Sequence, residues 1–310
     1  SSSWKPQVQM YEMDYLAKIV VTSDELESHA YHAKKGSSFT ISERGKKRNI
    51  RSNPFSDRVI RRCFCENCLI PELRKYLIHD NGAALCGKGI SFTRRRFEQH
   101  LHEYYRKYGT NEGYILLMDF SKYYDNIRHD KLMEAIVKHI QNPEELWLLG
   151  KILDNFKVDV SYLNEEQYKN CLNMKFNGEK QARLNPKYLT GQKFMAKSLA
   201  IGDQASQICS IYFPTRIDNY CKIVRSIRWY GRYMDDSYII SNDKQFLHEM
   251  LGKITDTASE LGIFINHKKT HIMKINCFFT WLKLRYKLTE TGHLVIKVNP
   301  KTVTRERRKL

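Results

Sequence analysis

The sequence predicts an α+β fold, and three observations carry that prediction. Helix-like and strand-like stretches mix without a regular βαβ rhythm, which argues against a doubly wound parallel sheet. Short apolar or β-branched runs, Tyr114–Met118 and Trp229–Ser241 among them, fit buried strands. Longer stretches repeat apolar residues every three or four positions, the spacing of an amphipathic helix. At 310 residues the chain can bury a sizeable core and divide into subdomains.

Taken in order, residues 1–35 have helical spacing but few caps. Residues 38–52 alternate on both sides of Gly45 and read as a hairpin. A helix is expected over residues 56–77, then a Gly-rich loop, "DNGAALCGKGIS", then a basic helix over residues 91–109 closed by Gly109. The strand at Tyr114 ends on Asp119. The next helix should carry Leu132, Ile136 and Ile140 on one face. Residues 155–195 are polar and read as irregular with short strands. "QASQICSIYFPTRIDNYCKIV" reads as a helix kinked near Pro214. Trp229–Ser241 is strand, turn, strand. A helix starting at Asn242 or Asp243 should carry Phe246, Met250, Ile254 and Leu261 near one face and stop at Gly262. "IFINHKKTHIMKI" and "FFTWLKLRYKL" read as strands, and the basic end "TVTRERRKL" as a helix.

Charge narrows the partner. The chain has 52 Lys and Arg against 34 Asp and Glu, a net charge of +18. Such an excess points to a polyanion, nucleic acid first and an anionic membrane second. No run approaches 18 apolar residues, so no spanning helix is expected. The N-terminus lacks the apolar segment of a signal peptide. Eight cysteines include the cluster Cys63, Cys65 and Cys68. Cys65 and Cys68 have half-zinc-site spacing, but no second pair follows, so they read as buried, reduced helical residues of an intracellular protein.

The chemistry centres on "WYGRYMDDSYIIS". Adjacent aspartates in a turn between two apolar strands are costly unless a cation neutralises them. If the Asp119 strand pairs with this hairpin, three carboxylates can converge at one sheet edge. Mg²⁺ suits hard oxygen ligands and leaves positions for water and phosphate. Two such ions support phosphoryl transfer. The plainer alternative is a pair of surface turn aspartates, which the apolar flanks disfavour.

At these residues the sequence resembles the reverse transcriptases. "YMDD" (Tyr233–Asp236) resembles motif C, "MDFSKYYDNIRHDKL" motif A, "SLAIGDQASQ" motif B, "LGIFINHKKTHI" motif D and "FTWLKLRY" motif E, in family order. "GKKRNIRSNPFSDRVIRR" and "DNGAALCGKGIS" resemble the fingers blocks. The resemblance implies a right-hand polymerase fold with an antiparallel palm sheet. It implies an N-terminal extension over 1–37, fingers over 38–112 and a palm over 113–290 with a fingers insertion near 155–195. Residues 291–310 would begin a thumb or connection, the thumb being largely absent.

The resemblance also implies roles. Asp119 and Asp235 would ligate two Mg²⁺ ions, with Mn²⁺ as a substitute; Asp236 would be the looser carboxylate and Phe120 would offer its carbonyl. Lys269, with Lys268 as competitor, would be the acid for the leaving pyrophosphate. Lys46, Lys47, Arg48 and Arg51 would supply charge to the triphosphate. Tyr124 would exclude a 2′-hydroxyl, and Ile201, Gly202 and Gln204 would contact the nucleotide. Tyr233, Met234, Trp281, Leu282 and Lys283 would hold the primer end. Partners would be an RNA template, a DNA or RNA primer, dNTPs, and a non-coding RNA or accessory protein, without a membrane.

Motif B departs from the commonest form: Ile201 stands where many relatives have Gln, and Ala200 where Pro is usual. "GDQASQ" is similar to the enzymes of diversity-generating retroelements and to defence-associated bacterial reverse transcriptases. This implies a cytoplasmic, bacterial or phage-encoded enzyme of the non-LTR type, with error-prone synthesis where an apolar Ile201 replaces a hydrogen-bonding side chain. The alternatives are an RNA-dependent RNA polymerase, disfavoured by Tyr124; untemplated or protein-primed DNA synthesis in phage defence; and a catalytically idle RNA-binding scaffold, disfavoured by the three aspartates.

Overall fold

The computed structural model describes residues 3–34, 36–43, 46–181 and 183–308, with the side chains of residues 43, 46, 47, 49, 186 and 301 left out. The chain divides into two compact units, each made of two segments. Unit 1 is residues 1–75 and 124–213; unit 2 is residues 76–123 and 214–310. Among the described residues no helix is long and apolar enough to cross a membrane.

Unit 1 is mostly helical. Its hairpin, Ser37–Glu43 with Lys46–Ser52, pairs Ser37 with Ser52 and Glu43 with Lys46. Pro54 precedes the helix Phe55–Phe64, which buries Ile60, Arg61 and Phe64 and runs on into a π-helical turn, Cys65–Leu69. All eight cysteines are free thiols, but of the 63–68 cluster only Cys65 is buried. Cys63 is exposed because it lies off the helix face that Phe64 and Cys65 turn inward.

In the second segment the helix expected to carry Ile140 stops earlier, at His129–Ile136. Pro143 then holds Asn142 in an extended conformation and opens a new helix, Pro143–Asp154. The sequence reading missed that helix. Residues 155–195 are also more ordered than expected. A short ladder pairs Val158 with Met195 and Asp159 with Phe194. Within it lies the helix Glu165–Asn173, opened by a capping box between Asn164 and Gln167. Lys197, fully buried, caps the far end by donating to the carbonyls of Cys171, Leu172 and Met174. Burial pushes its ammonium down to about 8.

Unit 2 is built on a four-stranded antiparallel sheet in the order Tyr230–Tyr233, Asp236–Ser241, Tyr114–Asp119, His271–Lys274. Register sets Ile115 opposite Ile240 and Leu117 opposite Tyr238. Period-two alternation puts these four on one face. They join one core with Phe97, Leu101 and Tyr104 of the helix Ile90–Tyr108. Gly109, at φ 66°, ends that helix in the left-handed region. The core is completed by Phe279, Trp281 and Tyr286 from a second, three-stranded antiparallel sheet, Phe279–Trp281, Leu284–Leu288 and Leu294–Val298.

The helix Lys244–Leu261 is capped by Asp243 and by Gly262 at φ 78°. It buries Leu247, Met250, Ile254 and Ala258; of the four residues expected on one face, Met250 and Ile254 are buried and Phe246 and Leu261 half-buried. The stripe is offset because Phe246 lies at its margin beneath the Arg225 guanidinium, 5.6 Å from the ring centroid. The basic end forms the helix Pro300–Arg307.

Candidate active site

The strand Tyr114–Asp119 enters buried and carries Asp119, 6% exposed, at its C-terminal end. The hairpin beside it turns in two residues, Met234 and Asp235, and closes on the pair Tyr233 and Asp236. The neighbouring ladder sets Asp236 directly opposite Asp119. Asp119 and Asp236 thus share a face, the one that carries Leu117 and Tyr238 further along. They line a cleft of about 450 Å³ with Lys269, Trp281 and Leu282. Asp235 sits half-buried in the turn itself.

Asp119 is held from the segment after Gly262. Lys269 Nζ donates to Oδ2 at 2.5 Å and Asn266 Nδ2 to Oδ1 at 2.9 Å. The backbone N–H of Asn266 donates to the carbonyl of Asp119, and that of Ser121 to Phe264. Phe120, itself buried, bridges to Ile265. The two lysines therefore differ: Lys269 is on Asp119, while Lys268 is simply exposed. Among the described residues no three His, Cys, Asp or Glu side chains are grouped so as to hold one ion. Both Asp119 oxygens are engaged by nitrogen donors in this conformation. The donor chemistry nonetheless suits a hard divalent cation: the Asp119 and Asp236 carboxylates line one cleft from adjoining strands, and Asp235 stands in the turn beside them.

The hairpin Phe279–Leu288 also turns in two residues, Leu282 at φ 42° and Lys283 at φ 73°. Left-handed backbone at two successive non-glycine residues is uncommon and costs energy. Arg94 steadies it by donating to the Leu282 carbonyl at 2.5 Å. Trp281 is buried against Phe97 and Tyr238, and its Nε1 has no partner among the described residues. Lys283 is exposed.

Unit 1 holds the remaining candidates. Tyr124 Oη lies 3.0 Å from Ser210 Oγ, whose own hydrogen goes to the Gln207 carbonyl. The Tyr124 carbonyl accepts from Leu199 N–H. Ile201 is half-buried and its carbonyl accepts from Arg51 N–H. Gly202, at φ 101°, lies so close to the hairpin that a Cβ would stand 3.2 Å from Ile50 Cγ2. Gln204 opens the helix Gln204–Tyr212, whose cap Asp203 is paired at 2.6 Å with buried Arg61. That pair joins the helix Phe55–Phe64 to the start of Gln204–Tyr212 and was not anticipated from the sequence. Arg51 is half-buried and donates to the Asn155 carbonyl; Arg48 is exposed. Gly45 and the side chains of Lys46 and Lys47 lie outside the described residues.

Solved structures with this fold include telomerases. One from Candida tropicalis, truncated from its C-terminal domain, matches with a TM-score of 0.53 at 14% identity, over 85% of this chain and 55% of that one. One from Candida albicans, in complex with the TWJ fragment of telomeric RNA, matches with a TM-score of 0.52 at 13% identity, over 86% and 45%. The chain thus spans about half the length of these structural relatives. At such identities the likeness establishes the fold, a right-hand polymerase fold with antiparallel sheets. No curated protein is significantly similar in sequence. The family model described as "Reverse transcriptase (RNA-dependent DNA polymerase)" matches residues 34–286. The chain belongs to the reverse transcriptase family.

Proposed function

We propose that the protein is an RNA-directed DNA polymerase whose chemistry is carried by the unit 2 cleft. The observation that supports this most is the register of Asp119 opposite Asp236, with Asp235 in the adjoining turn and Lys269 beside them. Asp119, Asp235 and Asp236, with the Phe120 carbonyl, would hold two Mg²⁺ ions, or Mn²⁺ in their place. Bound there, such ions supply charge neutralisation and activation of the attacking oxygen. The primer 3′-hydroxyl would attack the α-phosphate of a dNTP and pyrophosphate would leave. Lys269, released from Asp119, would give its proton to that leaving group.

Tyr233, Met234, Leu282 and Lys283 would seat the primer end, with Trp281 as the buried support beneath. In unit 1, Tyr124 would meet the sugar. Its bond to Ser210 holds the ring in one place, which a steric gate requires. Arg48, Lys46 and Arg51 would meet the triphosphate, and Ile201, Gly202 and Gln204 the nucleotide. Partners would be an RNA template, a primer and dNTPs. One of the two telomerases above is in complex with RNA, and the +18 charge is of the right sign.

The test is primer extension by the purified protein on defined RNA, with product sequencing. Asp119→Asn or Asp235→Asn should each lose at least about 10²-fold of activity, since each strips charge from the site. Full activity in Asp235→Asn would end this reading. Products unrelated to the template would replace it with untemplated synthesis.

Within the family we place the chain near the error-prone enzymes of diversity-generating retroelements and the defence-associated bacterial enzymes, cytoplasmic and working with a non-coding RNA or accessory protein. Ile201 supports this: it can pack but not hydrogen-bond. One such bond is worth about 0.5–1.5 kcal/mol, up to roughly tenfold in discrimination. Ile201→Gln should lower misincorporation on one RNA template; equal error rates would remove the diversity-generating assignment.

A further inference from the structure

Met234 is a non-glycine residue at φ 55°, left-handed, in the turn that presents Asp235 and Asp236. Such a conformation is unfavourable and persists only where its surroundings enforce it. The enforcing group lies directly beneath. Arg232 is 1% exposed, although it is charged. Its Nε donates to Asp218 Oδ1 at 2.9 Å and its Nη2 to Asp218 Oδ2 at 2.6 Å. Its Nη1 donates to the Met234 carbonyl at 3.0 Å.

The guanidinium is planar and rigid. With two nitrogens fixed on one carboxylate, the direction of the third is fixed as well. The position of the Met234 carbonyl follows from it. Every other group in the assembly is anchored too. Asp218 is fully buried and also accepts from Tyr230 Oη at 2.6 Å. The Arg232 backbone donates to the Asp80 carbonyl and accepts from Gly82 N–H. Asp80 is itself held by Arg96 and Lys222, each at 2.7 Å. A buried ion pair is a poor source of net stability, because desolvation offsets the attraction. An apolar pair could fill this space, but it could not fix the turn.

We propose that Arg232 is a positioning residue: anchored on Asp218, it locks the left-handed turn at Met234 and so fixes the place of Asp235 in the turn and of Asp236 in the cleft. This rests on the reading above, in which those aspartates hold the metal ions.

The decisive variant is Arg232→Lys. A lysine keeps the charge opposite Asp218, but one ammonium cannot span both that carboxylate and the Met234 carbonyl in the same geometry. The folded variant should keep its dNTP KM within about threefold while kcat per active site falls roughly 10- to 100-fold, the cost of misplacing reacting groups by about an ångström. Mn²⁺ binding to the free protein, read from the free-ion EPR signal, should weaken severalfold. Asp218→Asn, which keeps the shape but weakens the anchor, should give the same signature and carries the test if Arg232→Lys does not fold. Wild-type kcat per active site and Mn²⁺ affinity in the folded variant would overturn the proposal, even with a lower melting temperature, since that pattern is stability alone. Asp235→Asn run in parallel separates the two readings: if it stays active, the metal assignment has failed rather than the lock.

Discussion

Replacing Lys269 should move metal affinity and catalysis in opposite directions. Lys269 Nζ sits 2.5 Å from Asp119 Oδ2, with the lysine side chain 49% exposed and the aspartate 8%. Asn266 takes the other oxygen. The lysine therefore stands where a divalent cation would need Asp119. A charge-assisted bond with one partner half in water should contribute about 1–2 kcal/mol, between an exposed pair and a buried one. A cation that ligates Asp119 must displace that contact. Lys269→Gln should thus tighten Mn²⁺ binding to the free protein by about 5- to 30-fold, the same energy expressed as an equilibrium constant. Single-turnover nucleotide addition should meanwhile slow by roughly 10²-fold if Lys269 protonates pyrophosphate, the usual yield of general acid catalysis. Calorimetry or EPR titration reads the first effect, and rapid-quench primer extension at saturating metal reads the second. Unchanged metal affinity would show that Lys269 and the ion do not compete for Asp119. A Lys268→Gln protein that slows more than Lys269→Gln would move the acid role to the exposed neighbour.

Tyr124→Val should raise ribonucleotide relative to deoxynucleotide incorporation by roughly tenfold or more, as expected when a steric barrier to one hydroxyl is removed; single-nucleotide extension with matched rNTP and dNTP measures it, and an unchanged ratio removes the gate. Binding to an RNA–DNA duplex should fall by at least roughly tenfold between 50 and 200 mM salt through counterion release, and a flat titration would point the basic surface elsewhere. Acid should destabilise unit 2 through His100. Burial pushes this imidazole from its ordinary 6.5 down to about 4, with Asp80, Lys222, Arg96 and Glu103 around it and Tyr238 Oη 2.9 Å from Nδ1. Between those values the unfolded chain takes up a proton that the folded chain refuses. The contribution is therefore whole above about 6.5 and is lost as pH falls toward 4, by up to about 3 kcal/mol. Thermal melts from pH 7.5 to 5 should show this drop, and His100→Asn should flatten it; parallel slopes in both proteins would place the sensitive group elsewhere.

The parts legible in the sequence are those where local pattern and chemistry coincide. The Asp119 strand and the Asp235 hairpin were readable because apolar, β-branched runs end abruptly on carboxylates, and register then sets two of them face to face. The helix Ile90–Tyr108 was readable from its amphipathic stripe and its terminal Gly109. The helix Glu165–Asn173 was not, because it buries no residue and so has no apolar stripe to find. Its signal was the capping pair Asn164 and Gln167, three apart. Pro143–Asp154 announced itself similarly, with Asn142 as cap, Pro143 next and Glu144 and Glu145 in the first turn.

The acidic residues show most sharply what a sequence withholds. Asp80, Asp203 and Asp218 are as buried as Asp119, yet none was assigned a role from the sequence, although Asp80 and Asp203 lie within motif stretches. Each is matched by an arginine far from it in sequence or hidden inside a strand: Arg96, Arg61 and Arg232. A sequence lists the charges but not who faces whom, so a buried acid with a guanidinium partner looks like any surface residue. The difference lies in the partner. Asp203 and Asp218 meet rigid guanidinium groups enclosed by protein, which cannot leave without exposing a buried charge, and Asp80 is held by two cations at once, Arg96 and Lys222. Asp119 meets a flexible, half-exposed lysine and an amide, which can leave. A carboxylate whose counter-ion is removable can exchange it for a metal ion. That physical distinction separates Asp119, the buried aspartate assigned to chemistry, from three that hold the scaffold, and it becomes visible only when the partners are placed.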